Sequence, residues 1–307
     1  MRQPAVMAGF LMAEFGTILH AFHGAEKRMA GTLFVVATPI GHLEDISARA
    51  QATLRAAAVI ACEDTRVSRR LLDACGIATP LVALHQHNER GAAEALLARL
   101  QAGEDVALIS DAGTPLVSDP GATLTRMAHE TGIRVSPVPG ASAVMAALSA
   151  SGLPGDAFHF AGFVPSRAGE RTRFLESFRA SAVTTVMFET PHRIADTLAA
   201  MAESYAGGRV LVIARELTKQ FEEIVRLRID EACAWLASDA NHARGEFVLV
   251  LDAAEVQTDD AAWQALAEDL RAAGVSSRDA AAIVARHCDA PKKAVYQYLI
   301  AADGENR

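Results

Sequence analysis

Val106-Ala107-Leu108-Ile109-Ser110-Asp111-Ala112-Gly113-Thr114-Pro115-Leu116-Val117-Ser118-Asp119-Pro120-Gly121 is the stretch that decides the fold. Its first four residues are apolar, the pattern of a strand buried on both faces. Asp, Gly, Thr and Pro then interrupt the run, and all four favour turns. Asp119-Pro120 reads as the cap and first-turn proline of a helix that follows. The stretch is therefore strand, long loop, helix. Ligands of open α/β sheets lie outside the carboxyl ends of the strands, so residues 110–121 are the first place to look for a site. Two glycines, two prolines and two aspartates constrain that loop more than an ordinary connection requires.

The alternation continues on both sides. Strand-like runs fall at 33–37, 59–63, 81–85, 106–110 and 134–138, with helical patterns at 47–57, 65–74, 89–101, 120–131 and 142–150. This predicts an α/β domain with a mostly parallel sheet and helices on both faces. No GxGxxG follows the first strand, which disfavours a dinucleotide site of the Rossmann kind. Ser151-Gly152-Leu153-Pro154-Gly155 is a cluster of breakers and reads as a linker. Beyond it, strands are expected at 158–164, 184–189, 209–216, 222–229 and 246–252, with helices at 171–180, 191–204 and 230–238. Residues 221–229 alternate apolar and charged, as in an antiparallel strand with one wet face, so the second sheet is mixed. Three short helices at 261–273, 277–287 and 291–302 close the chain, the last two resembling a helix-turn-helix or, equally, a stabilising cap. The expected domains are thus 31–151, 157–252 and a helical tail at 259–307, after an unmatched extension at 1–30.

Composition bounds the function classes. Of 307 residues 51% are apolar and 21% charged, enough apolar material for full cores and against disorder. The net charge of -8 argues against a nucleic-acid partner unless cations cluster locally. Cys62, Cys75, Cys233 and Cys288 lie far apart, as reduced thiols of a cytoplasmic protein do, and give no metal site. No uninterrupted apolar run reaches membrane-spanning length.

Ser110-Asp111-Ala112-Gly113-Thr114-Pro115 resembles the signature loop of the tetrapyrrole methylase superfamily, whose members bind S-adenosylmethionine. Residues 36–45 (Val-Ala-Thr-Pro-Ile-Gly-His-Leu-Glu-Asp), Cys62-Glu63-Asp64-Thr65-Arg66, Arg215-Glu216-Leu217-Thr218-Lys219 and Arg244-Gly245-Glu246-Phe247 sharpen the match. Together they are similar to the branch that methylates a cytidine ribose 2′-hydroxyl in the decoding region of 16S rRNA. The resemblance runs from about Gly31 to Asp252 and resumes in the last helices. Met29-Ala30-Gly31 resembles the usual start of the family. His42 departs from the pattern, standing where the family usually has Asn.

The resemblance implies a two-domain methylase fold, commonly homodimeric, with the cofactor between the domains. Pro39, Ile109, Ser110, Asp111, Ala112, Gly113, Thr114, Ser142, Ala143, Phe188, Leu217 and Gly245 would line it. A ribose hydroxyl is a weak acid, so its methylation is helped by a base. Asp64 or His87 could accept the proton, and Arg66 could hold a phosphate bidentately. Equally, Asp64 could cap the next helix, and Glu63 could pair with Arg66. Arg69, Arg70, Arg167, Arg171, Arg193 and Lys219 are the candidate RNA contacts, although such charges more often only solvate a helix face. A tetrapyrrole C-methyltransferase is the enzymatic rival, and a ribosome-binding factor without activity is the rival of another class.

Overall fold

The computed structural model describes residues 30–85, 88–205, 208–254, 260–288 and 290–304. The chain divides into two compact units, one of residues 1–146 with Leu217–Gln220 and one of residues 147–216 with 221–307. The boundary falls inside a helix, a few residues before the Ser151–Gly155 breakers.

The first unit is built on a five-stranded sheet of β1 (Thr32–Val36), β2 (Val59–Cys62), β3 (Leu81–Ala83), β4 (Val106–Leu108) and β5 (Arg134–Val138). All pairings are parallel, in the order β3-β2-β4-β1-β5. The continuous apolar runs have a simple cause, because both faces are covered. Val59, Ala61, Val106 and Leu108 face Leu96 and Leu100 of α3 (Glu89–Gln101) and Leu124 of α4 (Ala122–Glu130). Ile60, Cys62, Ala107 and Ile109 face Leu54 of α1 (Ala48–Ala56) and Leu72 of α2 (Thr65–Ala74). The order also sets where a ligand can enter. The chain leaves β2 toward β3 and leaves β4 toward β5, so the loops after these neighbours diverge and open a crevice between them.

One expectation fails within the decisive stretch. Asp119 does not cap the next helix, which starts three residues later at Ala122 behind Gly121 in the left-handed region at φ 116. The capping carboxylate comes from far away in sequence: Glu89 accepts from the backbone N–H groups of Gly121 (3.0 Å) and Thr123 (3.1 Å). Nothing in the local spacing encodes such a contact.

The second unit holds a sheet in the order β6-β7-β10-β8-β9, from β6 (Phe158–Phe163), β7 (Thr184–Glu189), β8 (Val210–Arg215), β9 (Glu223–Arg228) and β10 (Phe247–Leu251). Of its neighbouring pairs only β6–β7 is parallel, so the sheet is mixed, as the alternating β9 pattern led one to expect. Leu175 of α6 (Ala168–Glu176), Leu198 of α7 (Ile194–Ser204) and Ala232 of α8 (Ile229–Ser238) pack on Met187, Ile213 and Leu249. α9 (Asp260–Ala272), α10 (Ser277–His287) and α11 (Lys292–Gly304) form a tail with its own core around Trp263, Ala267, Val284, Val295 and Leu299.

Candidate functional site

Three loops of the first unit are tied together at the carboxyl ends of its strands. The β1 and β4 loops meet in an isolated antiparallel bridge, Thr38 N–H to the Gly113 carbonyl (2.9 Å) and Gly113 N–H to the Thr38 carbonyl (3.1 Å). The buried Thr38 hydroxyl donates to the Ser110 carbonyl at 3.1 Å, and Ser110 Oγ donates back within its own loop to Gly113 (3.2 Å). The Thr114 hydroxyl reaches the third loop, donating to the Ala141 carbonyl at 3.0 Å. Gly113 holds φ 81, which glycine adopts without penalty. Leu116 and Ser118 hold φ 72, which strains an L-residue by about 1–3 kcal/mol each and clusters where function requires it.

The floor formed by these three loops is closely packed. Ile109, Ser110 and Pro39 are buried beneath it, while Ala112 is exposed and Ser142 and Ala143 are half-buried. A Cβ on Gly140 would come within 2.9 Å of that of Ala37, so a side chain there would wedge two of the loops apart. Gly41 abuts Leu217, Thr218 and Lys219, and a Cβ there would lie 2.8 Å from the Leu217 carbonyl oxygen. His42 does the work an Asn would do: its Nδ1 accepts from the Glu44 N–H at 3.3 Å, and its own N–H donates to the Thr218 hydroxyl at 3.1 Å.

Carboxylates crowd the crevice between β2 and β4. Asp111 accepts from the Asp64 N–H at 3.1 Å, tying the two loops. Asp64 caps α2 through the Arg66 N–H (2.8 Å) and also pairs with the Arg66 guanidinium (2.7 Å), which holds its carboxyl down at about 2. So it is Asp64, not Glu63, that takes Arg66. Burial, reinforced by Asp111, raises Glu63, and burial likewise raises Asp111. Asp119 is pushed up to about 6, first by burial and then by the charges of Glu63 and Asp111, with Ser110 opposing. A carboxylate near 6 is ionised at neutral pH yet basic enough to hold a proton, which suits a general base better than Asp64 does. Sequence reasoning missed Asp119 because Asp-Pro before a helix is so strong a capping signal. The Cys62 thiol, buried, is pushed up and stays protonated, so it is no nucleophile.

The other sequence-derived candidates scatter. His87 lies outside the described residues. Phe188 is half-buried between Phe160 and Phe163, ring centroids 5.0 and 5.3 Å away. Leu217 is buried, and Gly245 holds φ 89 against the Glu216 side chain. Arg70 and Arg167 are exposed, the latter paired with Glu170 at 3.1 Å, and Arg69 is half-buried. Arg171 does not present itself to a phosphate: it is buried, donating to the Ser166 carbonyl (3.2 Å) and Asp196 (3.4 Å). Arg193 is likewise engaged, its guanidinium 2.8 Å from the fully buried Glu189 carboxylate, which would otherwise be an uncompensated charge. Among the described residues no group of three or more His, Cys, Asp or Glu could hold a metal ion, and no helix is long and apolar enough to cross a membrane.

Comparison with known proteins agrees with this geometry. Residues 32–233 match the family model of tetrapyrrole (corrin/porphyrin) methylases. A Pseudomonas aeruginosa protein named ribosomal RNA small subunit methyltransferase I is 48% identical over 280 residues, 90% of this chain and 99% of that one. Its namesake from Escherichia coli O157:H7 is 42% identical, over 92% of this chain and 99% of that one. Among solved structures, diphthine synthase aligns at a TM-score of 0.57 with 17% identity, over 73% of this chain and 90% of that one. Uroporphyrin-III-C-methyltransferase from Thermus thermophilus aligns at 0.52 with 19% identity, over 72% and 94%. These structural likenesses speak to the fold alone. The family match and the near-full-length identities place the chain as a methyltransferase that belongs to the tetrapyrrole (corrin/porphyrin) methylase family.

Proposed function

We propose that this enzyme uses S-adenosylmethionine to methylate the ribose 2′-hydroxyl of a cytidine in the decoding region of 16S ribosomal RNA. The observation that carries the reading is the 42–48% identity, over about nine-tenths of the chain, to relatives named ribosomal RNA small subunit methyltransferase I. The bound cofactor supplies an electrophilic methyl on a sulfonium. The floor of residues 109–114, Pro39, Ser142 and Ala143 would hold it. The carboxylates of Asp111, Glu63 and Asp119 favour its positive charge. Asp119, between the diverging loops, accepts the proton of the attacking hydroxyl. Asp64 fixes Arg66, whose largely exposed guanidinium is available to a phosphate of the same nucleotide.

The test is to incubate the protein and methyl-labelled cofactor with small subunits from a strain lacking the activity, then map the label. A label on a decoding-region cytidine ribose is expected. A label on a tetrapyrrole and on no RNA would overturn the reading in favour of the rival enzyme. Asp111→Arg and Gly113→Trp, which fill the floor, are expected to abolish cofactor binding in calorimetry. Wild-type protein that gives no heat with S-adenosylmethionine or S-adenosylhomocysteine would instead mark a factor without activity.

A further inference from the structure

The helical tail carries a positively charged cavity that the methyl-transfer site does not use. α10 and α11 pack on each other through Ala280, Ala281, Val284, Val295 and Leu299, all buried. Beside that seam Arg278, Lys292, Lys293 and Tyr296 line a cavity of about 590 Å³. The register explains the grouping. Tyr296 follows Lys292 by four residues and Lys293 by three, so the three side chains share one stripe of α11 flanking the buried Val295 and Leu299.

These cations are not placed for stability. A helix N-terminus already carries partial positive charge, and further positive charge there is unfavourable. Lys292 and Lys293 nonetheless open α11, whose first turn has no acidic residue. None of Arg278, Lys292 and Lys293 is ion-paired with another described residue. Among the described residues, two acids of the tail bond elsewhere, Asp279 with the Ser276 hydroxyl (2.7 Å) and Glu268 with the Tyr298 hydroxyl (2.8 Å). Three cations lining one cavity at a helix N-terminus therefore point to an anion. Tyr296, 42% exposed, adds an aromatic face at the rim. A lipid surface would call for a broad apolar band; an open cluster of cations with one aromatic is the arrangement that grips a nucleic-acid strand by phosphate and base together.

We propose that this cavity binds the phosphate backbone of the ribosomal RNA substrate, with Tyr296 stacking on an unpaired base. The proposal rests on the rRNA reading above and gives the tail a share in substrate recognition.

The full-length chain and two variants, R278E/K292E/K293E and Y296A, are titrated with deproteinised small-subunit rRNA over a series of salt concentrations. All four positions are exposed, so folding should survive, and calorimetric affinity for S-adenosylmethionine serves as the control. The triple variant should bind at least about tenfold more weakly at 0.15 M salt, and its log–log salt dependence should be shallower by about 2, as expected for lost phosphate contacts. Tyr296→Ala should weaken binding several-fold and leave the salt slope unchanged. A triple variant that keeps the wild-type affinity and slope would overturn the proposal. So would one that loses affinity for assembled subunits but not for deproteinised RNA, since the cavity would then recognise a ribosomal protein. Wild-type protein that neither binds nor methylates rRNA would defeat the functional reading itself, and this inference with it. Wild-type methylation alongside an unaffected triple variant would defeat the inference alone.

Discussion

At Asp119, burial and the carboxylates of Glu63 and Asp111 hold the pKa at about 6, against an ordinary 3.8. Because the folded value is the higher, whatever the residue adds to stability is complete below about pH 4. It is lost as pH rises through 6. At neutral pH the ionised carboxylate therefore opposes folding, and Asp119→Asn should stabilise the protein by on the order of 1–3 kcal/mol at pH 7.5. The gain should vanish near pH 4, as denaturant titrations at both pH values would show. The same variant should lower kcat by at least about 100-fold. Wild-type kcat should rise with pH through a pKa near 6, a limb the variant should lack. A variant with full activity would exclude Asp119 as the base.

At the scale of the element, α4 depends on a cap that its own segment does not provide. Glu89 supplies it across 32 residues to Gly121 N–H, and accepting two backbone bonds keeps its carboxyl below the ordinary carboxylate range. Its stabilisation is present above pH 4.5 and lost as pH falls through the lower folded pKa. Glu89→Ala should cost about 1 kcal/mol at neutral pH, measured by urea unfolding, and should weaken cofactor binding by loosening the strained loop that ends at Gly121. Unchanged cofactor affinity would show that the loop does not need this cap. By contrast, α2 and α3 were legible to the residue, because their apolar positions recur at helical spacing and Asp64 caps the first of them from its own segment.

At the scale of the whole molecule, the tail core consists of tail residues, so its stability can be separated from that of the methylase units. Leu299→Asp puts an unpaired charge where the side chain is fully buried, a change large enough to unfold a small helical cluster. Helicity by circular dichroism should fall by the share of α9–α11, while S-adenosylmethionine binding persists. Loss of both together would show that the tail and the methylase units fold as one.

The sequence by itself determined the α/β class, the parallel first sheet, the mixed second sheet and the helical tail. Periodicity and turn residues are local, and each segment carries them. It also singled out the loop at 110–115 as the first place to look for a site, through a run of small and turn-forming residues at the end of an apolar strand. Only the tertiary structure decided the strand order that opens a crevice between β2 and β4. Only it turned Asp119 from a helix cap into a half-buried carboxylate with a pKa of about 6, buried Arg171 and tied Arg193 to Glu189. Those outcomes depend on which distant charges and backbone groups meet in low dielectric, Glu63 and Asp111 around Asp119, Glu89 on α4, Glu189 against Arg193. Spacing along the chain carries no record of such meetings.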